Sequence, residues 1–258
     1  MRRRWAAVLL TTALVGVGCG GSQSDTVRPP LADPPDPGPP PASHGLSANE
    51  ITRIAPSTVR VFGISCGRAA EGSGFAIAHD IIVTNAHVLL GVDDPTIEVE
   101  SGLRAAADIV AFDAHNDLAL LRVEDVRFEP LPLGTADDGT TGGVFGWEQG
   151  PTLEVTPFRV DRPVTVRIEA VGTDERVGRP SYLLAADIES GDSGAPLIDK
   201  TGTVVGIAYM STTRDASVGY ALRTAPVEDL LENGFEQPVN VPPCGVTTQN
   251  DGSAGDGS

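Results

Sequence analysis

Short apolar segments separated by turn residues dominate the chain between residues 58 and 210. Val, Ile and aromatic side chains favour β-strands, whereas clusters of Gly, Asp and Asn favour the turns between them. The pattern predicts strands over TVRVFGI (58–64), GSGFAIA (72–78), IIVTN (81–85), LRAAADIVAF (103–112), LALLRV (118–123), VTVRIEAV (164–171), SYLLAADI (181–188), APLID (195–199) and VVGIAYM (204–210). An all-β protein is therefore expected.

Two short segments have a helical pattern instead. One is AHVLL, directly after Asn85, and the other is TAPVEDLLENG, in which Thr224 is a candidate cap, Pro226 falls in the first turn and Gly234 ends the helix. Many strands, two short helices and no regular alternation of the two predict a β-barrel or a β-sandwich.

The N-terminus has the pattern of an export signal. Three arginines precede an apolar run, Trp5 to Val17, that is too short to span a bilayer. Cys19 follows this run, and the segment resembles a bacterial lipoprotein signal, in which the cysteine is lipidated and becomes the new N-terminus. Gly16 departs from that pattern, because such signals usually carry Leu there. We predict a signal peptide over residues 1–19 with lipidation at Cys19; ordinary cleavage and an uncleaved anchor are the alternatives.

The remaining boundaries follow from composition. Residues 20–47 contain RPPLADPPDPGPPPAS, a proline-rich segment that is expected to form an extended, disordered linker. Residues 48–245 form the predicted folded domain, and residues 246–258 are a predicted disordered tail. The chain is thus expected to be exported to the periplasm, cell envelope or medium, with a lipid anchor in the membrane.

The charge of the chain argues against one class of partner. The formal net charge is −17, and Lys200 is the single lysine. An acidic chain repels phosphates, so nucleic acid is not an expected partner.

A Gly-Asp-Ser-Gly turn raises the question of whether Ser193 is a nucleophile. Gly, Asp and Ser also build ordinary turns, so ESGDSGAPLID alone leaves both interpretations open. Among the four histidines, His87 is the candidate base, since it follows a predicted strand and is flanked by apolar residues; it could equally be a buried structural histidine. The other three occupy the linker or polar turns, where solvent exposure is expected: His44, His79 and His115.

Asp117 is the candidate acid. It directly precedes the apolar strand LALLRV, which places a carboxylate at a strand end beside the core. A buried carboxylate is costly unless it is hydrogen-bonded, so Asp117 either orients an imidazole or faces water.

The three candidates occur in the contexts GSGFAIAHDIIVTNAHV, HNDLALLRV and ESGDSGAPLID, followed by VVGIAYMSTTRDASVGYALRT. In this order they resemble the chymotrypsin-fold serine peptidases, in the bacterial branch that includes the HtrA proteases, over most of residues 55–233. The segments around Cys66, GVFGWEQGP and LAADIESGDSG resemble one subgroup more closely still, the membrane-anchored periplasmic serine protease of mycobacteria linked to acid resistance.

The resemblance implies two six-stranded antiparallel β-barrels with a short C-terminal helix, and serine endopeptidase activity without metal or cofactor. Asp117 would orient His87, which would take the proton of Ser193 during attack on a peptide carbonyl. The amides of Gly191 and Ser193 would form the oxyanion hole. A catalytically silent binding module with the same fold is the alternative.

The resemblance also suggests where a substrate side chain would bind. Ala208, Tyr209, Met210 and Gly219 are candidate pocket walls. Asp187 lies six residues before Ser193, and in the trypsins a carboxylate at that spacing selects basic side chains.

Two further expectations concern covalent and quaternary structure. With Cys19 at the anchor, Cys66 and Cys244 remain, and export favours a disulfide between them over two free thiols. No PDZ-like segment follows residue 240, so a monomer is expected. Two departures from the family pattern are Ala195, where a second Gly is usual, and Asp192, which has no newly cut N-terminus to pair with.

Overall fold

Antiparallel strands make up most of the computed structural model, which describes residues 36–147, 150–211, 217–232, 234–235, 237–239 and 241–243. The helices are α1 (Ala48–Ile54), α2 (Ala86–Leu89) and α3 (Ala225–Glu232), with a 3-10 turn at Ala55–Ser57. The strands are β1 (Thr58–Ser65), β2 (Arg68–Ala76), β3 (Ile81–Thr84), β4 (Thr96–Glu98), β5 (Arg104–Ala106), β6 (Asp108–Asp113), β7 (Leu118–Arg122), β8 (Thr141–Gly146), β9 (Glu154–Glu169), β10 (Arg176–Ala186), β11 (Pro196–Asp199), β12 (Val204–Ser211) and β13 (Val218–Leu222).

The first sheet has seven strands in the order β5-β4-β1-β2-β3-β7-β6. Its two edge strands, β5 and β6, are consecutive in the chain and separated only by Ala107. The amide of Ala107 donates to the carbonyl of Pro95 at 3.0 Å, which marks the point where the chain changes partner. The single predicted strand over 103–112 is therefore two strands, and the expected six-stranded barrel has seven.

The second sheet is a closed six-stranded barrel in the order β10-β13-β12-β11-β8-β9. The all-β prediction with two antiparallel, barrel-like sheets and a short C-terminal helix is thus confirmed. Two other expectations differ in detail. The hydroxyl of Thr224 donates to the carbonyl of Gly134 at 2.7 Å instead of to the start of α3, and β9 begins ten residues before the predicted strand at 164.

Some elements had weak or overlooked sequence signals. Helix α1 was not predicted, although Ser47 and Glu50 form a capping box in which each side chain binds the other's backbone amide. The part of β9 before residue 164 contains Pro157 and Pro163, which argue against a strand in a sequence pattern. Strands β4 and β8 were also not predicted, because one is very short and the other begins with Thr-Gly-Gly.

Alternation along the strands gives each sheet its own core and leaves a third apolar layer between them. In β3 and β7, Ile82 and Leu121 pack inside the first sheet, whereas Val83 and Leu120 belong to the layer shared with the second sheet. Phe145 of β8 is fully buried in that shared layer. Burying one such large side chain contributes about 2 kcal/mol, so this layer holds the two sheets in a fixed relation.

Ser73 of β2 links the first sheet to the loop that follows β10. Its amide donates to the carbonyl of Ser193 at 2.7 Å, and its hydroxyl donates to the carbonyl of Gly191 at 2.7 Å. The same hydroxyl accepts the amide of Trp147 at 2.9 Å, and Thr84 donates to the Ser73 carbonyl at 2.7 Å. The loop before β11 is therefore bound to β2 at two carbonyls, those of Gly191 and Ser193.

Residues 36–47 lie against the second barrel, in contrast to the expectation of a detached linker over 20–47. The Arg159 side chain donates to the carbonyl of Pro37 at 2.6 Å. Leu46 is 8% exposed and belongs to the apolar layer shared by the two sheets. The segment as a whole is proline-rich and polar, so its composition did not indicate that the apolar side chain of Leu46 packs on the domain. Residues 1–35 and 244–258, including the predicted signal and tail, lie outside the described residues.

Within the described residues, no helix has the length and apolarity that crossing a bilayer requires.

Leu46→Ala is expected to destabilise the domain by about 2–3 kcal/mol, because it removes a buried side chain from the shared layer. Urea unfolding of the purified chain measures this. Leu103→Ala is the matched control, since Leu103 is 54% exposed and its loss should cost less than about 0.5 kcal/mol. Equal effects of the two substitutions would show that the 36–47 segment does not pack on the domain.

Gly194→Ala is expected to be more destabilising than Gly139→Ala. Both glycines have positive φ, 90° and 84°, so both substitutions introduce backbone strain of about 1 kcal/mol. A Cβ at Gly194 would lie 2.1 Å from the Ser73 carbonyl oxygen, whereas a Cβ at Gly139 meets nothing within 4 Å. The clash should add about 2–3 kcal/mol to the loss of unfolding free energy in a urea titration. Equal losses would contradict the described contact between β2 and the Ser193 loop.

Candidate active site

His87, Asp117 and Ser193 meet where the two sheets face each other. His87 lies in α2, directly after β3, and Asp117 directly precedes β7. Strands β3 and β7 are neighbours, with Thr84 opposite Ala119, so the sheet pairing brings the histidine and the aspartate together. Ser193 comes from the loop between β10 and β11 of the second sheet.

The three side chains form one hydrogen-bonded row. His87 Nε2 lies 2.9 Å from Ser193 Oγ. On the other side of the ring, His87 Nδ1 lies 2.9 Å from Asp117 Oδ2 and 3.1 Å from Oδ1. An ionised carboxylate only accepts hydrogen bonds, so Nδ1 carries the proton and Nε2 is the acceptor that faces the Ser193 hydroxyl.

The Asp117 backbone has an unusual conformation that turns its side chain inward. Its φ is 58°, in the left-handed region that Asp tolerates better than most residues. The residue is 2% exposed. Asp117 Oδ1 accepts the backbone amide of His87 at 2.9 Å, and the side chain of Asn85 donates to the Asp117 carbonyl at 2.8 Å. The residues around α2 therefore fix both the backbone and the carboxylate of Asp117.

The loop around Ser193 depends on two glycines with positive φ, Gly191 at 108° and Gly194 at 90°. The amides of Asp192, Gly194 and Ala195 donate to backbone carbonyls at 2.8–3.2 Å. The amides of Gly191 and Ser193 make no such bond within residues 36–147 and 150–211. Two backbone donors of this loop are thus left for a ligand.

Asp192 is held inside the protein by contacts with its own loop and with β8. It is 1% exposed, and its Oδ2 accepts the amide of Glu189 at 2.9 Å. Its Oδ1 lies against Gly146, where a Cβ would come within 1.7 Å of it. The methyl of Ala195 is fully buried in the second barrel and leaves the loop intact.

A cleft of about 330 Å³ opens beside the histidine. Its residues come from α2 and its C-terminal end, the segment before β7, the β9–β10 hairpin and β12: His87, Leu90, Asp117, Ile168, Glu169, Val171, Gly172, Arg179, Tyr209 and Met210. Burial raises the pKa of Tyr209 to about 12, against the opposing effects of the Ser181 hydroxyl and the Arg179 charge. Tyr209 is therefore a neutral wall of the cleft at physiological pH.

The residues predicted to line a substrate pocket have different locations. Tyr209 and Met210 line the cleft beside His87. Ala208 is fully buried, and its backbone binds Gly194 and Ala195. Gly219 is covered by Ile188, whose Cγ1 would lie 2.5 Å from a Cβ there. Asp187 is exposed and does not line the cleft that the structure describes around His87.

The other histidines take part in local contacts. His44 Nδ1 accepts the amide of Leu46, and His79 Nδ1 lies 2.8 Å from the carbonyl of Phe128. His115 faces Glu175 at 3.1 Å, and both side chains are about 60% exposed. Among the described residues, no group of His, Cys, Asp and Glu is placed to hold a metal ion.

Two residues of the site had no sequence signal. Ser73 sits in a segment that was predicted only as a strand, and Arg179 precedes the predicted strand over 181–188. Arg179 donates to Asp117 Oδ2 at 3.5 Å from a position that is 2% exposed. An arginine before an apolar run is usually solvent-exposed, so only the fold identifies its partner.

Of the three cysteines, only Cys66 lies in the described chain. It occupies the β1–β2 turn with a φ of 51° and is disulfide-bonded. Cys19 and Cys244 lie outside the described residues. The pairing of Cys66 with Cys244 stays a prediction.

The sequence of this chain is similar to a known protein family and to several named serine proteases. The model of the trypsin-like peptidase domain family matches residues 72–207. The chain is 32% identical over 250 residues to serine protease Rv3671c of Mycobacterium tuberculosis, covering 94% of this chain and 60% of that protein. It is 33% identical over 180 residues to serine protease HTRA4 of Mus musculus, covering 66% of this chain and 35% of that protein. The chain thus spans about 60% or less of the length of these curated relatives.

Solved structures of a serine protease are also similar to this chain. The crystal structure of the Rv3671c protease in its active form matches with a TM-score of 0.75 and 30% identity, covering 80% of this chain and 93% of that one. The inactive form of the same protease matches with a TM-score of 0.67 and 29% identity, covering 78% and 98%. A family model that spans more than half of the chain and a relative that aligns along nearly all of it show that this chain belongs to the trypsin-like serine peptidase family.

Proposed function

We propose that this chain is an exported serine endopeptidase that hydrolyses peptide bonds of protein or peptide substrates through an acyl-enzyme. The observation that carries the proposal is the hydrogen-bonded row of Asp117, His87 and Ser193, with His87 Nε2 2.9 Å from Ser193 Oγ. A serine hydroxyl needs an adjacent base to attack at neutral pH, and imidazole titrates in the required range.

In the first half of the reaction, Ser193 Oγ attacks the scissile carbonyl while His87 Nε2 takes its proton. Asp117 holds the Nδ1 proton and stabilises the imidazolium that forms. The tetrahedral intermediate collapses, the C–N bond breaks, and His87 returns the proton to the leaving amine. In the second half, a water gives a proton to His87 and attacks the ester, which releases the acid and restores the Ser193 hydroxyl.

The amides of Gly191 and Ser193 are proposed to bind the oxyanion of the tetrahedral intermediate. Their hydrogens have no acceptor in the described part of the chain, whereas the amides of Asp192, Gly194 and Ala195 donate to backbone carbonyls. Backbone donors that are already aimed at the developing charge need no reorganisation during the reaction.

The substrate is proposed to run along the cleft beside His87, next to Tyr209 and Met210. The side chains of Leu90, Ile168 and Val171 give much of this cleft an apolar surface. Asp187 is exposed and outside this cleft, so nothing in the described geometry favours a basic side chain there. The reaction written above uses no metal or cofactor, and the chain is proposed to work as a monomer.

Location and covalent structure complete the proposal. The basic and apolar residues before Cys19 support export and a lipid anchor, with part of the segment 20–47 as the spacer. A disulfide between Cys66 and Cys244 would tie the β1–β2 turn to the C-terminal segment. In the chain-entropy picture such a long loop contributes roughly 3–5 kcal/mol.

A fluorophosphonate probe is expected to label the wild-type chain at Ser193 and to leave Ser193→Ala unlabelled. His87→Ala should slow labelling by at least about 10³-fold, because the hydroxyl loses its base. His79→Ala is the matched control and should label at the wild-type rate, since the His79 ring lies against the Phe128 carbonyl, away from Ser193. Mass spectrometry of the labelled peptide gives the site and the rate.

Absence of labelling in a folded wild-type chain would reject the peptidase and favour a catalytically silent binding module. Labelling that survives Ser193→Ala would reject the assignment of the nucleophile.

Cys19→Ser is expected to abolish lipid incorporation and to release the full-length chain from bacterial membranes. The test expresses the full chain with an alkyne fatty acid, fractionates the cells and measures the label on the protein. Cys244→Ser is the control and should keep the label, because it leaves the signal segment unchanged. An unlabelled wild type, or a Cys19→Ser chain that stays in the membrane fraction, would reject the lipid anchor.

A further inference from the structure

Arg179 of β10 contacts the same carboxylate oxygen of Asp117 as the His87 ring does. Its Nη1 donates to Asp117 Oδ2 at 3.5 Å, and its Nε donates to the His115 carbonyl at 3.0 Å. The guanidinium carbon lies 5.5 Å from the centre of the Tyr209 ring. The carbonyl and the ring hold the cation in place, so its distance to Asp117 is set by the fold of both sheets.

The charges around Asp117 give Arg179 a special position. Asp117 and Arg179 are both 2% exposed. When His87 is neutral, its backbone amide and its ring each donate a hydrogen bond to the Asp117 carboxylate. Neither group carries a positive charge that would balance the charge of the carboxylate. In the described chain, the ion pairs of Asp117 are with His87 and Arg179 alone. A buried carboxylate needs a counter-charge to remain ionised, and Arg179 is the group that supplies it in the resting state.

Stability alone does not account for a buried arginine here. Nη2 of Arg179 is buried and makes no hydrogen bond within the described residues. An unpaired buried donor costs about 1–3 kcal/mol. Buried ion pairs are often no more stabilising than apolar side chains of similar volume, so a pair with an orphan donor is a poor device for stability.

We propose that Arg179 is a positioning residue that keeps Asp117 ionised and directed at His87, and that it limits the basicity of the imidazole. The inference rests on the proposed peptidase function. When His87 accepts a proton from Ser193, two cations flank one carboxylate. Arg179 therefore opposes protonation of the resting histidine, because the two positive charges repel each other through a buried region.

The sign of the effect on activity follows from this arrangement. The enzyme is active when His87 is neutral, so activity falls as pH drops and the histidine is protonated. Without Arg179, no second cation opposes proton uptake by the Asp117–His87 pair, and this acid limb moves to higher pH. The other titratable groups that line the same cleft are Glu169 and Tyr209. Tyr209 stays neutral in this range, because burial raises its pKa to about 12.

The test compares Arg179→Met, which removes the charge but keeps a linear side chain, with Arg179→Lys, which keeps the charge. Arg162→Met is the matched control, because Arg162 of the neighbouring strand β9 pairs with Asp161 outside the site. Each purified chain is assayed with a peptide substrate for kcat/KM from about pH 5 to 9. Fluorophosphonate labelling at Ser193 gives the fraction of competent protein.

Arg179→Met is expected to move the acid limb of kcat/KM to higher pH by about one unit. Arg179→Lys should keep the limb within about 0.3 units of wild type, and Arg162→Met should not move it. A limb that stays in place in Arg179→Met, with only the plateau lowered, would overturn the proposal and leave Arg179 a packing role. An Arg179→Lys limb that moves as far as that of Arg179→Met would also overturn it.

Two further results distinguish a failure of the role proposed for Arg179 from a failure of the proposed peptidase function. If wild type neither labels nor hydrolyses peptides, the proposed function fails; if wild type is active and the limbs coincide, only the role of Arg179 fails. If Arg179→Met does not fold, the double variant Asp117→Asn, Arg179→Met decides by circular dichroism. Recovery of folding would support the charge compensation, and continued unfolding would reject it.

Discussion

The contact between β2 and the Ser193 loop is the interaction on which the site depends. His87 and Asp117 belong to the first sheet, and Ser193 belongs to the second. Hydrogen bonds from Ser73 to the carbonyls of Gly191 and Ser193 set the position of the loop relative to the first sheet. The apolar layer provides the free energy that holds the two sheets together, and the Ser73 hydrogen bonds fix the position of the Ser193 loop between them. Without these hydrogen bonds, a 2.9 Å distance between His87 and Ser193 would not be maintained.

Close packing explains why the loop needs its glycines. At Gly194 a side chain would overlap the Ser73 carbonyl, and at Gly146 it would overlap the buried carboxylate of Asp192. Gly194 lies in the loop and Gly146 ends β8, and each is required because another part of the chain approaches its Cα closely. The strands that contact the Gly-Asp-Ser-Gly turn therefore determine which residues fit in it. The glycines of the turn reflect packing against residues that are distant in the sequence.

The sequence carried enough information for the fold class and for the three polar residues at its centre. Alternating apolar segments predicted most strands, because side-chain burial on a sheet has a period of two. Local context made His87, Asp117 and Ser193 candidates, and the resemblance of the three motifs together to the serine peptidases decided between the structural and the functional interpretation. Ser73 and Arg179 were not identified, since their partners lie 118 and 62 residues away. A serine in a strand and an arginine beside one have no local signature of burial.

The same reasoning explains the error at the N-terminal side of the domain. By composition, residues 20–47 are proline-rich and polar, and a single apolar residue such as Leu46 hardly changes that average. One leucine placed against the shared layer is enough to bring residues 36–47 onto the barrel. Composition measures whether a segment can form a core of its own, whereas docking requires only a few apolar contacts on a core that already exists.

Asp117 shows how the fold meets two opposite demands in one residue. The carboxylate must be buried so that it holds a single orientation against His87, and it must be charged so that it stabilises the imidazolium. Burial by itself would favour the protonated acid. The left-handed backbone at Asp117, the amide of His87 and the cation of Arg179 together make the buried charge tolerable.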